Sequence, residues 1–469
     1  MKSHASQTRN NLRVCSIDGI LATPWAILSV PGSFLIASLL NLTFKVGPVW
    51  FGVIIAMPAL ANALSIFLVP WVGRFMSVRE LSLTFAMMNT GIWLSGILAI
   101  SLLPADNPDQ AGLFFTLLYL LLSSTSALSG VGWTSWVGTF VPDRIRGRYM
   151  ARRNILTNLS TLLFMGVTLG LLSGFAGERW LYVLLISLAV LGRITSVLMQ
   201  HRVKTKDPGA GRVCSDTWGK DLWRLRHCHP LLRYILFGVL AGFFMSFNGA
   251  VTTLYAFNLL KVSPANFTAY SIMATVCGTL SVKVWGEMID RHGALPVLMI
   301  SAMAWRLGDF GWILLTEETK QGLFAVWAWG GAMGTGYMRA NFVLLLKLIP
   351  EQNRGAGISL NLTLVSIFSA IAPILAGGWL GFAPSLELGQ GMMYRGSLGF
   401  GLAGAGLSIL SLIGLEEPDV HPSRNTIPGA LRTMRQMGVA QGIAFFSNAT
   451  FVVRRIKTPK DEARKRSVS

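Results

Sequence analysis

The chain has 469 residues, of which 52% are hydrophobic and only 13% are charged. Soluble globular domains carry about 25% charged residues, so this composition excludes an ordinary soluble protein and favours a membrane protein. The formal net charge of +19 is high enough to suggest a nucleic-acid-binding protein, so the placement of the basic residues decides between the two classes.

Twelve apolar runs are long enough to be transmembrane helices, since about 20 residues cross the roughly 30 Å hydrocarbon core of a bilayer. The first six, in chain order, are 17–42, 50–72, 81–103, 113–139, 155–175 and 180–199. The second six are 232–260, 267–285, 295–315, 323–349, 356–380 and 393–415. The sequence therefore predicts an all-α polytopic membrane protein with twelve transmembrane helices.

These runs divide the chain into five parts. They are an N-terminal segment 1–16, a six-helix bundle 17–199, a basic linker 200–231, a second six-helix bundle 232–415 and a basic tail 416–469.

The basic residues fall almost entirely on one side of the predicted membrane. That side receives the N-terminal segment, the linker and the tail, whereas the other side receives only Lys45, Arg179, Lys261, Lys320 and Arg395. Because an excess of Lys and Arg marks the cytoplasmic side, we expect a cell inner membrane protein with both termini cytoplasmic. The charge then reflects topology and contact with the lipid bilayer, and no nucleic-acid partner is expected.

The two halves of the chain repeat each other at two turns. Residues 41–48 (NLTFKVGP) follow the first helix and match 258–264 (NLLKVSP), which follow the seventh. Residues 141–147 (VPDRIRG) follow the fourth helix and match 349–355 (IPEQNRG), which follow the tenth. Both bundles should therefore have the same orientation and be related by pseudo-symmetry about the membrane normal.

The segment 286–293 (GEMIDRHG), between the eighth and ninth predicted helices, resembles the G-x-x-x-D-R-x-G signature of the major facilitator superfamily. The resemblance covers nearly all of 17–415 through the helix count and the duplicated turns. It implies a secondary transporter in which two bundles rock about a central site by alternating access. No subfamily is implied, because the sugar-porter and drug-antiporter signatures are missing.

By this resemblance, the loops on the cytoplasmic side should hold the two bundles together when the transporter closes there. The residues expected in these gating loops are Asp290, Arg291, Gly293, Arg74, Arg146 and Arg354. Arg74 belongs to the first-half counterpart of the signature, which lacks the aspartate. Arg146 and Arg354 belong to the second pair of duplicated turns.

Three arginines lie well inside predicted spans, away from the first few residues, where a charge is costly and is a functional candidate. Arg193 lies about two turns from the cytoplasmic end of its helix, so we expect it to extend to the headgroups. Arg306 lies near the midplane, and Asp309 follows it by three residues, which places both on one helix face as an ion pair. Either this pair is a neutral packing element, or Asp309 carries the proton that couples solute movement to the proton gradient.

The third arginine, Arg339, lies among glycines of the tenth predicted helix, where small residues permit a cavity or close helix packing. Its guanidinium would bind an anionic organic solute, or else pair with a carbonyl or with Asp309. The uncharged side chains expected around the solute are Asn248, Trp133, Trp136, Asn154, Asn158 and Asn361. Asp18, at the start of the first predicted helix, is either a second proton site or a helix cap.

Together these residues predict a proton-coupled permease for a small anionic organic solute. An ATP-driven pump, an enzyme, a cofactor and a metal site are not expected, because the sequence has no P-loop, nucleophile elbow or metal-spaced histidines. The alternative is a non-transporting protein of the same fold, such as a pigment-complex assembly factor, a membrane sensor or a scaffold. It would use the tail, where the stretch 438–453 is a candidate for contact with a protein partner or the membrane.

Overall fold

The computed structural model describes residues 2–141, 143–175, 178–203, 223–350, 354–386 and 389–418. Within these ranges the regular structure is helical and no strand occurs. The predicted partner contact at 438–453 lies outside the described residues, as does most of the predicted linker, at 204–222.

The described residues of each half form six long helical rods, one of which is interrupted. The first half contains α1 Lys2–Leu28, α2 Phe34–Ser38, α3 Pro48–Val72, α4 Val78–Leu102, α5 Pro108–Phe140, α6 Asp143–Gly174 and α7 Arg179–His201. The second half contains α8 His229–Asn258, α9 Pro264–His292, α10 Ala294–Asp309, α11 Gly311–Leu314, α12 Leu323–Leu348, α13 Arg354–Phe382 and α14 Gln390–Ser408. The short helices α2 and α11 continue α1 and α10.

Nine helical segments within the described residues are long and apolar enough to cross a membrane. The remaining predicted spans correspond to α1 with α2, to α12 and to α14. The predicted multi-pass, all-α architecture of twelve rods in two bundles is therefore confirmed.

The first predicted span, 17–42, is broken rather than continuous. Helix α1 begins at Lys2, so the predicted N-terminal segment is helical, and it ends at Leu28. Pro31 lacks a backbone N–H and disfavours helical geometry at the residue before it, which explains why the chain leaves the helix there. It becomes helical again at Phe34 and then passes into a π-helical turn at Leu39–Thr43.

The first duplicated turn has the same backbone in both halves. Lys45 and Lys261 each have φ 48°, and they are the non-glycine residues with positive φ in the described chain. The N–H of Val46 donates to Leu40 O at 2.9 Å, and the N–H of Val262 donates to Ala256 O at 2.9 Å. Matching hydrogen bonds at equivalent positions confirm the internal repeat that the sequence predicted.

The two bundles meet through α3 with α13 and through α6 with α9. We call the end that carries the start of α1, the end of α7 and Glu417 the terminal face, and the other end the opposite face. Near the opposite face, a Cβ atom added to Gly52 would overlap the carbonyl oxygen of Pro373, and one added to Gly377 would overlap that of Pro48. Glycine at these positions therefore lets the two backbones touch.

Four of the predicted gating-loop residues lie in helices, which corrects the loop boundaries. Asp290 and Arg291 belong to the last turn of α9, and Gly293 alone joins α9 to α10, with φ 90°. Arg146 lies inside α6 and Arg354 is the first residue of α13. Arg74 does lie in a link, between α3 and α4, and is exposed.

Candidate functional site

A cavity of about 350 Å³ lies within the second bundle, between α8, α9, α10, α12 and α14. We call it the C-bundle chamber. Its walls include an ion pair, three tryptophans, an asparagine, a threonine and two adjacent glycines. These residues are Arg306, Asp309, Trp305, Trp312, Trp327, Asn248, Thr252, Gly330 and Gly331. The volume falls within the roughly 300–1,000 Å³ of small-molecule sites.

The predicted ion pair lies in this chamber. Arg306 Nη1 is 3.0 Å from Asp309 Oδ2, and the two side chains are 12% and 20% exposed. The guanidinium also lies over the ring of Trp305, 4.7 Å from its centroid. Since both charges are largely removed from water, each is stabilised mainly by the other, and a change in one leaves the other uncompensated.

Two further polar atoms of the chamber walls have no hydrogen-bond partner within the described chain. They are Oδ1 of Asn248 and Nε1 of Trp327. Asn248 is only 6% exposed, and its amide packs where Gly401 of α14 has no side chain. Buried polar groups are normally hydrogen-bonded. Both atoms are covered here, with less than 1 Å² exposed, so they reach an occupant only when their side chains turn toward the chamber.

A second cavity of about 410 Å³ adjoins the chamber on the side that faces the first bundle. The two cavities share two residues of α8 and two tryptophans, namely Gly249, Thr252, Trp312 and Trp327. The other wall of this second cavity includes Pro31 and Gly32, in the break between α1 and α2. A third cavity, of about 690 Å³, shares Pro58 with it and is lined by uncharged hydroxyl side chains of α5. The chamber that holds the ion pair is therefore adjacent to cavities at the interface of the two halves.

Arg339 does not contribute to the chamber, which corrects the sequence prediction. It follows Gly330 by nine residues, about two and a half turns of helix, so it lies on the other side of α12 from the chamber wall. The side chain is exposed, and it pairs with neither Asp309 nor any other carboxylate of the described residues. Of the three arginines well inside predicted spans, Arg306 is the one that lines the chamber.

Among the predicted uncharged liners, only Asn248 lines the chamber. Trp136 is 2% exposed and packs with Val14 and Val78, and Trp133 lies under the guanidinium of Arg153.

The three other predicted asparagines also lie elsewhere. Asn158 donates to Thr279 Oγ1 across the two bundles at 3.4 Å, and Asn361 lies beside Gly238, where α8 and α13 pack. Asn154 is exposed on α6.

Asp18 is the centre of a buried polar cluster in the first bundle. Its Oδ1 accepts hydrogen bonds from Ser196 Oγ at 2.6 Å and Gln200 Nε2 at 2.8 Å. Its Oδ2 lies 3.9 Å from Arg153 Nη2. Asp18 is 2% exposed and lies well inside α1, so the predicted helix cap is wrong.

Arg193 belongs to the same cluster and does not reach the headgroups as predicted. It is 5% exposed, its guanidinium lies 4.2 Å from the centroid of Trp25, and its Nη1 donates to Ser196 Oγ at 3.3 Å. Ser196 therefore connects Arg193 to Asp18. Next to the cluster, burial raises the pKa of Tyr149, so this phenol stays protonated and donates to Leu12 O at 3.1 Å.

Glu417 is a buried carboxylate that the sequence placed in the tail. Its oxygens accept from the backbone N–H groups of Ala294 at 3.0 Å and Leu295 at 2.8 Å. Lys347 Nζ lies 2.6 Å from Oε1 of Glu417. The second bundle therefore extends beyond its predicted end at 415.

The tryptophans of the chamber were missed, although the sequence contains a signal. Trp305 and Trp312 are seven residues apart, a spacing that puts two side chains on one face of a helix. Trp305 directly precedes Arg306, and Trp312 follows Asp309 by three residues. Trp327 comes from another helix, and no local pattern indicates that it faces them.

The chain is similar in structure to known transporters. Over 87% of its length it superimposes on the whole of the nucleoside transporter NupG, with TM-score 0.62 and 15% sequence identity. Over 92% it superimposes on 98% of a bacterial homologue of the human lysosomal transporter Spinster in an inward-facing, unoccupied conformation, with TM-score 0.57 and 11% identity. No protein-family model and no curated protein sequence matches the chain.

Proposed function

The chain has the fold of the major facilitator superfamily, and from this premise we propose that it is a secondary active transporter for a small anionic organic solute. The single observation that carries the proposal is the ion pair of Arg306 and Asp309 in the C-bundle chamber. The similar structures, which include a nucleoside transporter and a Spinster homologue in an occupied conformation, support a small-molecule cargo.

The ion pair suggests how solute and proton movement are coupled. While Asp309 is ionised it neutralises Arg306, and an anionic solute would have to compete with it for the guanidinium. When Asp309 takes up a proton, Arg306 becomes an uncompensated cation in a region of low dielectric, where an anion is strongly favoured. Proton and anion therefore bind together, and the two charges cross with the same movement of the bundles.

The test uses purified full-length protein in proteoliposomes with a panel of organic anions and neutral solutes. We expect an anion in the panel to drive proton movement in the wild type. Asp309→Asn should keep solute exchange but lose solute-driven proton movement, because the amide binds no proton and leaves Arg306 free. Arg306→Gln should weaken solute binding by roughly tenfold to a hundredfold, since a charge-assisted hydrogen bond contributes about 1.5–3 kcal/mol.

Arg339→Gln is the matched control, because it removes an arginine of the same bundle that lies outside the chamber. Its transport should equal that of the wild type. Absence of flux with every solute, in protein that is correctly inserted, would overturn the transporter proposal and favour the assembly-factor, sensor or scaffold alternative. Equal losses in Arg306→Gln and Arg339→Gln would show that the chamber is not the binding site.

A further inference from the structure

The walls of the C-bundle chamber are unusually rich in tryptophan, and each ring is held in place by another aromatic side chain. Trp305 packs edge-on against Tyr337 with centroids 5.6 Å apart. Trp312 packs against Tyr255 at 6.4 Å. The remaining tryptophan, Trp327, packs edge-on against Phe267 at 5.2 Å. Rings fixed in this way offer rigid surfaces, on which a flat ligand loses little entropy of ordering.

Two glycines let α12 pack closely against α9 and against Trp305 beside the chamber. A Cβ added to Gly330 would lie 3.5 Å from Nε1 of Trp305, and one added to Gly331 would overlap the carbonyl of Ala274. The backbone of α12 therefore comes close to the indole of Trp305, with no side chain between them. The indole of Trp305 forms the chamber wall at this point, and a planar group packs against it better than a branched aliphatic one.

The polar groups in the chamber specify what a flat ligand must carry. Arg306 supplies one cation for one carboxylate when Asp309 is protonated. The unpartnered Oδ1 of Asn248 needs a hydrogen-bond donor, and the unpartnered Nε1 of Trp327 needs an acceptor. A hydroxyl group on the ring can bond to either side chain once that side chain turns toward the chamber, since a hydroxyl donates one hydrogen bond and accepts others.

We infer that the solute class is a planar aromatic monocarboxylic acid whose ring carries a hydroxyl or a similar donor group. This inference rests on the proposed function, because it names the solute of the same site. The aromatic ring packs against the indoles, the carboxylate binds Arg306, and the ring substituent binds Asn248.

The experiment measures equilibrium binding of three acids to the full-length protein in nanodiscs by calorimetry, with empty nanodiscs as the blank. The acids are cyclohexanecarboxylate, benzoate and 4-hydroxybenzoate, which have the same charge. Benzoate differs from the first acid by an aromatic ring, and 4-hydroxybenzoate differs from benzoate by a hydroxyl group. We expect benzoate to bind about three- to tenfold tighter than the saturated acid. The hydroxyl group should add about a further three- to tenfold.

Three variants assign the preference to the chamber. Trp327→Leu should abolish most of the preference for benzoate over cyclohexanecarboxylate. Asn248→Ala should remove the gain from the hydroxyl group and keep the aromatic preference. Trp329→Leu is the matched control, because Trp329 lies on the same helix, is 43% exposed and is outside the chamber. The change removes its hydrogen bond to Ala304 O but no residue of the chamber wall, so both preferences should persist.

The outcomes separate this inference from the proposed function. Equal affinity for all three acids, together with anion-driven proton movement in proteoliposomes, would overturn the aromatic class and leave the transporter proposal intact. Loss of the preference in Trp329→Leu to the same extent as in Trp327→Leu would also overturn it, because the preference would then not arise in the chamber. No binding of the acids and no proton movement with any solute would overturn both proposals.

Discussion

At the scale of single residues, Glu417 shows how one carboxylate joins three elements. Gly293 precedes α10 and has no side chain, so it cannot accept from the first N–H groups of that helix as Ser, Thr or Asp would. Glu417 accepts from two of them and also binds Lys347 at the end of α12. A negative charge at a helix N-terminus is stabilised further by the helix dipole. The segment after α14 is thereby bound to the start of α10.

We predict that Glu417→Gln destabilises the protein by about 1–3 kcal/mol, since an uncharged amide loses the ion pair and leaves one buried N–H group without an acceptor. The measurement is the apparent midpoint of thermal unfolding in detergent, which should fall. Glu416→Gln is the control, because Glu416 is the adjacent acid and is exposed. Equal midpoints for the two variants would contradict the role of Glu417.

The residue scale is also where sequence analysis was least informative. The pair Arg306 and Asp309 was predictable because its members are three residues apart on one helix. The buried cluster around Asp18 was not predictable, because its partners Ser196 and Gln200 come from α7, far along the chain. Arg193 looked close enough to water, yet Trp25 and Ser196 hold it inside the bundle. Partners that come from distant segments leave no local pattern.

At the scale of elements, the duplicated turn shows that a repeat can preserve backbone strain. Left-handed geometry costs a non-glycine residue roughly 1–2 kcal/mol, yet a lysine occupies it in both halves. Matching hydrogen bonds stabilise the turn in each half, at Val46 and at Val262. The sequence predicted this equivalence from five shared residue types but not the positive φ, since lysine gives no signal for it.

We predict that Lys45→Gly leaves stability unchanged or raises it by less than about 1 kcal/mol, because relief of strain is partly offset by the greater entropy of glycine in the unfolded chain. Lys45→Val should destabilise by more than about 1 kcal/mol, since a β-branched residue is poorly tolerated at positive φ. The same order should hold at Lys261. Thermal unfolding of the four variants checks this, and a valine variant as stable as its glycine partner would contradict it.

The helices themselves were well predicted, and the exceptions have local causes. The length and hydrophobicity of the apolar runs predicted the positions of all twelve transmembrane helices. Pro31 broke the first predicted span, although Pro24 is accommodated inside α1. Helices α6 and α9 are longer than the spans predicted for them, because polar residues such as Asp143 and Asp290 continue each helix beyond its apolar run. Hydrophobicity indicates which residues are in lipid, not where the helix ends.

At the scale of the whole molecule, the crossing of α3 and α13 holds the bundles together near the opposite face. Gly52 and Gly377 lie at the point of contact, and each packs against the backbone of the other helix. Small residues permit this approach in membranes, where packing and close contact replace the hydrophobic effect. If the bundles rock as proposed, this crossing has to separate whenever the opposite face opens.

Gly377→Ala should therefore shift the molecule toward a state open at the opposite face, since the added methyl group overlaps the carbonyl of Pro48. Gly378→Ala is a matched control, because a Cβ at this adjacent position meets nothing within 4 Å and the gain in helix propensity is the same. Spin labels at Asp106→Cys and Glu318→Cys, in a background with the native cysteines replaced by serine, report the separation of the two bundles at that face.

Double electron–electron resonance should show a larger population of long distances in Gly377→Ala than in Gly378→Ala, and the control should match the parent protein. The methyl group acts on the crossing and not on the C-bundle chamber. Any difference in solute affinity between the parent protein and Gly377→Ala should therefore be explained by the changed population of molecules open at the opposite face. Identical distance distributions in the two variants would mean that the backbones at the crossing adjust without moving the bundles. The pivot of the transport movement would then lie elsewhere, with the contact of α6 and α9 as the next place to test.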